Sequence, residues 1–124
     1  MAFYTLRALS TVGGQTYDTC FYEFWEPWRR QLAINMTTWV EDLLGQRSDC
    51  HAWASLPLYE FTAEVAGFKH IMESGNRMIT FKPRVHPFKK FSAEVPGSGV
   101  TGKAIIARVS WEVGADNVVG IHLS

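Results

Sequence analysis

Cysteine is nearly absent: Cys20 and Cys50 are the only two among 124 residues. Two cysteines close at most one disulfide, so a small scaffold held by a disulfide framework is excluded, and a pair of buried free thiols is the expected state. Net charge is absent too. Twelve Lys and Arg balance twelve Asp and Glu, which leaves no whole-chain field to attract nucleic acid or anionic lipid, and neither is expected as a partner. No apolar run reaches the roughly 18 residues of a bilayer-spanning segment, and no basic stretch followed by an apolar one and a cleavage site opens the chain. The chain therefore reads as soluble and without a targeting segment, its location otherwise open. It is also too short for a second full-sized domain or a complete catalytic barrel. What is present is apolar: 47% of residues are hydrophobic and 19% charged, a balance that excludes a disordered tail and implies a packed core.

The neutral sum hides two unlike halves. Residues 1–64 carry eight acids against four bases, and residues 65–124 carry eight bases against four acids. Trp25, Trp28, Trp39 and Trp53 crowd into the first half, while Trp111 stands alone in the second.

The hydrophobic period divides the chain at the same place. Phe3, Leu6, Leu9 and Val12 recur at three-residue steps before Gly13-Gly14, so residues 2–12 are expected to form a helix that the glycines stop. No capping residue precedes it, which points to further chain upstream. A second, strongly aromatic helical pattern runs over residues 18–34, with Pro27 either kinking one helix or opening another. Residues 35–50 suit a loop, and a third helix is expected from about Cys50 to Ala66, capped by Ser48 or Asp49, bent at Pro57 and stopped by Gly67. Beyond Gly67 the period falls to two. Strands are expected over 78–81, 91–95, 104–111 and 118–123, with turns at Pro83, Pro87, Pro96-Gly97 and residues 114–117. Helices first and strands afterwards argue for an α+β fold, with a helical segment over residues 1–67 and a small antiparallel β domain over residues 68–124.

Chemistry is most concentrated between Glu23 and Glu60, where acids, indoles and His51 interleave. Sugars offer C–H faces that pack on indole rings and hydroxyls that bond to carboxylate and imidazole, so the composition suits a carbohydrate site. Trp at helical spacing is also ordinary core, and composition leaves both accounts open. Metal binding is not expected: zinc wants three or four ligands, and Cys50-His51 has no companion pair at suitable spacing. Neither a metal nor an organic cofactor is expected.

Particular residues narrow the choice. Thr37-Thr38-Trp39-Val40-Glu41, then Arg47-Ser48-Asp49-Cys50-His51-Ala52-Trp53-Ala54-Ser55 and Pro57-Leu58-Tyr59-Glu60-Phe61, closely resemble the end of the helical barrel of bacterial and fungal α-L-rhamnosidases. Gly67-Phe68, Ile79-Thr80-Phe81-Lys82-Pro83, and Thr101-Gly102-Lys103-Ala104-Ile105 to Val109-Ser110-Trp111 resemble the β-sandwich that follows that barrel. Nearly the whole chain from Phe3 onward is covered.

The resemblance implies the end of an (α/α)6 toroid followed by an antiparallel sheet or sandwich, and an inverting hydrolase of terminal α-L-rhamnosides. Inversion needs two carboxyl groups roughly 6.5 to 9.5 Å apart, one protonating the leaving oxygen and one activating water. Glu41 falls at the general base. His51, Trp39 and Trp53 fall as substrate-binding candidates for a rhamnose-containing saccharide or glycoside, against the alternatives of a capped-helix histidine and core indoles. The general acid would lie on an earlier barrel loop that this stretch lacks, so the chain alone is expected to be a poor enzyme. Helices shaped for absent barrel neighbours would expose aromatic surface and self-associate. A non-catalytic carbohydrate-binding module and a purely structural or interaction domain are the competing readings.

Overall fold

The computed structural model describes residues 2–42, 45, 47–73, 76–98 and 104–124. The fold is α+β, with helices leading and antiparallel strands following, as the change of period predicts. Thr101, Gly102 and Lys103, which open the last stretch of the family resemblance, lie outside the described residues. The chain divides into two compact units, Met1–Leu58 and Tyr59–Ser124.

In the first unit, α1 (Ala2–Val12) and α2 (Gly14–Ala33) are separated by Gly13 alone. Gly13 sits at φ 67, a left-handed conformation that costs glycine little, and its N–H bonds the carbonyl of Leu9 at 2.8 Å to close α1. The second helix starts four residues earlier than its aromatic pattern suggests. It also runs through Pro27 as one element, so the proline does not open a separate helix. Its buried face is Tyr17, Phe21, Trp25, one residue every helical turn, with neighbouring ring centroids 5.9 and 5.8 Å apart in tilted and edge-on pairs. The helix ends in a Schellman arrangement: Asn35 takes φ 58, its N–H bonds Leu32 O at 3.0 Å, and Met36 N–H bonds Gln31 O at 3.0 Å. That turn sends the chain back past α2 toward residues 38–51.

The single helix expected over residues 50–66 is instead three short pieces. These are a 3-10 turn Ala52–Ala54, α3 (Leu56–Glu60) and a π-helical turn Phe61–Val65. Pro57 falls in the first turn of α3, where its missing N–H has no helical partner to lose, so it begins this helix rather than bending a longer one. Neither Ser48 nor Asp49 caps it. Ser48 Oγ accepts the Cys50 N–H at 3.2 Å and spends itself on a local turn. Both cysteines are free thiols, but Cys20 is half-buried and Cys50 exposed, not buried as expected.

In the second unit the π turn is closed by Ala66 N–H to Phe61 O at 2.8 Å. Gly67 follows at φ 81, with a side chain excluded because a Cβ there would strike the Lys82–Pro83 backbone. A strand that periodicity alone misses comes next: β1 (Phe68–Glu73) pairs antiparallel with β2 (Asn76–Phe81), with Phe68 opposite Phe81. The other sheet has the order β3-β4-β5, from β3 (Lys90–Ser98), β4 (Ala104–Val113) and β5 (Val119–Leu123). Pro96-Gly97 belongs to β3 and is not a turn. Because β3 is an edge strand, the proline's missing donor leaves no ladder bond broken on the outer side. The register puts Phe91, Val95, Val109, Trp111 and Ile121 on one face. Phe91 stacks on Trp111 at 4.4 Å between centroids, and the buried Trp111 donates its indole N–H to Phe88 O at 3.0 Å. The opposite face is polar, with Ser92, Ser110 and His122 in one cross-strand row.

A charged cluster is buried in this unit. Glu64, 1% exposed, holds Lys69 Nζ at 2.7 Å and Arg84 Nε at 3.2 Å. It ties the π turn to β1 and to the segment after β2.

No described helix is long and apolar enough to cross a membrane.

Candidate active site

The loop carrying Glu41 is held by a frame of backbone bonds. His51 N–H donates to Trp39 O at 2.8 Å and Glu41 N–H to Ser48 O at 2.8 Å, so residues 39–41 and 48–51 run side by side like a short antiparallel ladder. The Thr38 hydroxyl adds a bond to Asp49 O. The paired threonines and the Ser-Asp-Cys-His stretch, well separated in sequence, are thereby brought against each other.

A buried amide fastens this frame to α2. Gln31 is 5% exposed, its Oε1 accepts the Val40 N–H at 3.0 Å, and its Nε2 donates to Pro27 O at 3.3 Å. Both ends of the side chain are used, which is what a buried polar group requires. The residue fixed by that bond immediately precedes Glu41. Trp28 makes a similar tie, its indole N–H donating to Ala54 O at 2.9 Å beside the turn that bears Trp53.

The first unit encloses a cavity of about 500 Å³, and Glu41, Asp42, His51 and Trp53 all line it, with Trp28 and Gln31 of α2 forming the wall behind them. This volume falls within the range of small-molecule sites. Three of the four residues singled out from sequence are thus gathered into one concavity. Trp39 is not among the lining residues; it is half-buried and contributes its carbonyl to the frame through His51. Trp53 is 71% exposed, so it is not a core indole. Trp28 and Asp42 carried no site expectation. Trp28 was hidden by its helical spacing from Phe24, on which it stacks at 5.8 Å between centroids.

The Glu41 side chain is 28% exposed, and Arg47 Nη1 approaches its Oε1 at 3.5 Å. Arg47 is itself 77% exposed, so this pair is screened by water and worth well under about 1 kcal/mol. A carboxylate on a constrained backbone, loosely paired and facing a cavity, is free to accept a proton from a water molecule there. His51 supplies donor or acceptor nitrogens, and Trp53 an exposed ring face. Among the described residues no three His, Cys, Asp or Glu side chains cluster as a metal site.

Compared with protein-family models, with curated proteins and with solved structures, the chain gives no match in any of the three.

Proposed function

We propose that this chain forms the base-bearing wall of an inverting glycoside-hydrolase site of the α-L-rhamnosidase kind, belonging to a longer enzyme that supplies the general acid. The single observation that carries the reading is the shared cavity of about 500 Å³ walled by Glu41, His51 and Trp53. In this reading Glu41 removes a proton from the attacking water, His51 bonds sugar hydroxyls and Trp53 packs against the pyranose C–H face. The substrate is a terminal α-L-rhamnoside. Loss of general-acid assistance costs typically 10² to 10⁴ in rate, so ordinary rhamnosides should turn over very slowly on the chain alone.

A leaving group that needs no protonation isolates the base. 2,4-Dinitrophenyl α-L-rhamnoside should be hydrolysed above the buffer rate, releasing the inverted sugar, and Glu41→Gln should remove the excess. Hydrolysis at the buffer rate, or a rate unchanged by Glu41→Gln, would overturn the assignment of the base.

The exposure of Trp53 favours one second reading, a carbohydrate-binding module in which the indole is a platform and Glu41 takes no part in chemistry. That reading predicts sugar affinity lost in Trp53→Ala and kept in Glu41→Gln, with no hydrolysis of the activated rhamnoside.

A further inference from the structure

The second unit contains a cavity of about 460 Å³ that plays no part in the proposed rhamnoside site. Its walls are unlike each other. Tyr59 and Thr62, from the last helical turns, and Lys69 of β1 bring hydroxyl and ammonium groups, while Val95 of β3, Ile105 of β4 and Ile79 of β2 are aliphatic. Ile79 and Ile105 are each 42% exposed, so apolar surface that a sandwich would ordinarily cover is left facing this space. Among the described residues Lys69 is the one charged side chain in the lining, and no acid lines it.

Two features keep the cavity open. Gly97 lies in its wall, and a Cβ there would meet Ile105 Cγ1 at 3.3 Å and Ile79 Cδ1 at 3.9 Å, so any larger residue would grow into the space between the two isoleucines. Thr62 and Ala63 sit on the π turn, a form of helix that is rare and concentrated at functional sites. The Lys69 ammonium is held in place by its 2.7 Å bond to Glu64, yet it has three donors and this bond uses one.

An apolar cavity with hydroxyls and a single cation along one wall fits an amphiphile with an anionic head. The geometry points to a binding site for a small carboxylate with an aliphatic body, its tail between Ile79, Val95 and Ile105 and its head on Lys69. The site is independent of the rhamnoside reading and is tested apart from it.

Calorimetric titration of the full chain with octanoate and, separately, with 1-octanol reads head and tail apart. Octanoate should bind about tenfold more tightly than octanol, because either head can accept a hydrogen bond from the ammonium but only the carboxylate adds an ion pair to it. Gly97→Val, which fills the tail space from an edge strand without removing any bond, should abolish octanoate binding while the variant still unfolds in a cooperative thermal transition, lowered at most slightly by the close approach to Ile105. Absence of octanoate binding, equal affinity for octanol, or undiminished binding by a folded Gly97→Val variant would each overturn the proposal.

Discussion

Gln31 and Val40, nine residues apart, are joined by a hydrogen bond of 3.0 Å from the Val40 N–H to the Gln31 side-chain oxygen. Both residues are buried, so a donor left unpaired there is costly. The bond decides where the next residue, Glu41, leaves the backbone frame. Gln31→Leu keeps the volume and strands the Val40 donor, which should cost about 1 to 3 kcal/mol. Amide exchange at Val40 should accelerate more than at Phe21, deep in the same helical core. Uniform acceleration across the unit would show that Gln31 serves general packing and does not fix the loop.

Glu60 and Glu64 are both buried carboxylates of the second unit, and Glu64 is the one shared by Lys69 and Arg84. Removing its charge leaves two cations without their common partner. The penalty for breaking a fully buried pair is about 3 to 5 kcal/mol, and the partial exposure of Lys69 reduces it. Glu64→Gln should lower the thermal midpoint by roughly 10 °C, read by circular dichroism. A shift within about 2 °C would mean that the cluster is solvated and contributes little.

Gly67 combines φ 81 with the absence of room for a side chain against the Lys82–Pro83 backbone. Gly67→Ala should therefore destabilise by about 2 kcal/mol or more, from backbone strain and steric conflict together. Gly120, where a Cβ meets nothing within 4 Å, is the control and should tolerate alanine. Equal effects at the two positions would contradict the steric account.

The exposed rings Tyr4, Tyr22, Trp53 and Tyr59 are large apolar groups left in water. Self-association through them is expected as concentration rises. Sedimentation equilibrium should report an average mass above the 14.0 kDa of one chain. A compact monomer at millimolar concentration would contradict it.

The sequence carried the fold class because the change from a helical to an alternating period at Gly67 is a strong local signal. It misplaced elements where tertiary bonds overrule local chemistry. Pro96-Gly97 reads as a turn, yet an edge strand accepts proline without breaking a ladder bond. The span Phe68–Glu73 mixes Lys69, His70 and Ile71 without clean alternation, and only its pairing with β2 defines it as a strand. Residues 50–66 look like one helix because helical apolar spacing persists through the 3-10, α and π turns.

The candidate site was legible to the extent that motif residues are also lining residues, as with Glu41, His51 and Trp53. Gln31 was not legible. A glutamine within a helical pattern gives no sign that it reaches a backbone amide nine residues away. Trp39 stood two residues from Glu41 in the motif, a spacing that puts both on one face of an extended segment, so its place outside the cavity, which Val40 and Glu41 line, was not legible from alternation.

The central claim is that Glu41, His51 and Trp53 wall a cleft that accepts a pyranose. Titration of the isotopically labelled chain with L-rhamnose, followed by heteronuclear NMR, tests it most directly. The account predicts saturable shifts at the Glu41 and His51 amides and the Trp53 indole N–H, larger than at the Trp39 indole, with all of them lost in Trp53→Ala. Spectra unchanged at high rhamnose concentration, or shifts confined to the second unit, would contradict it.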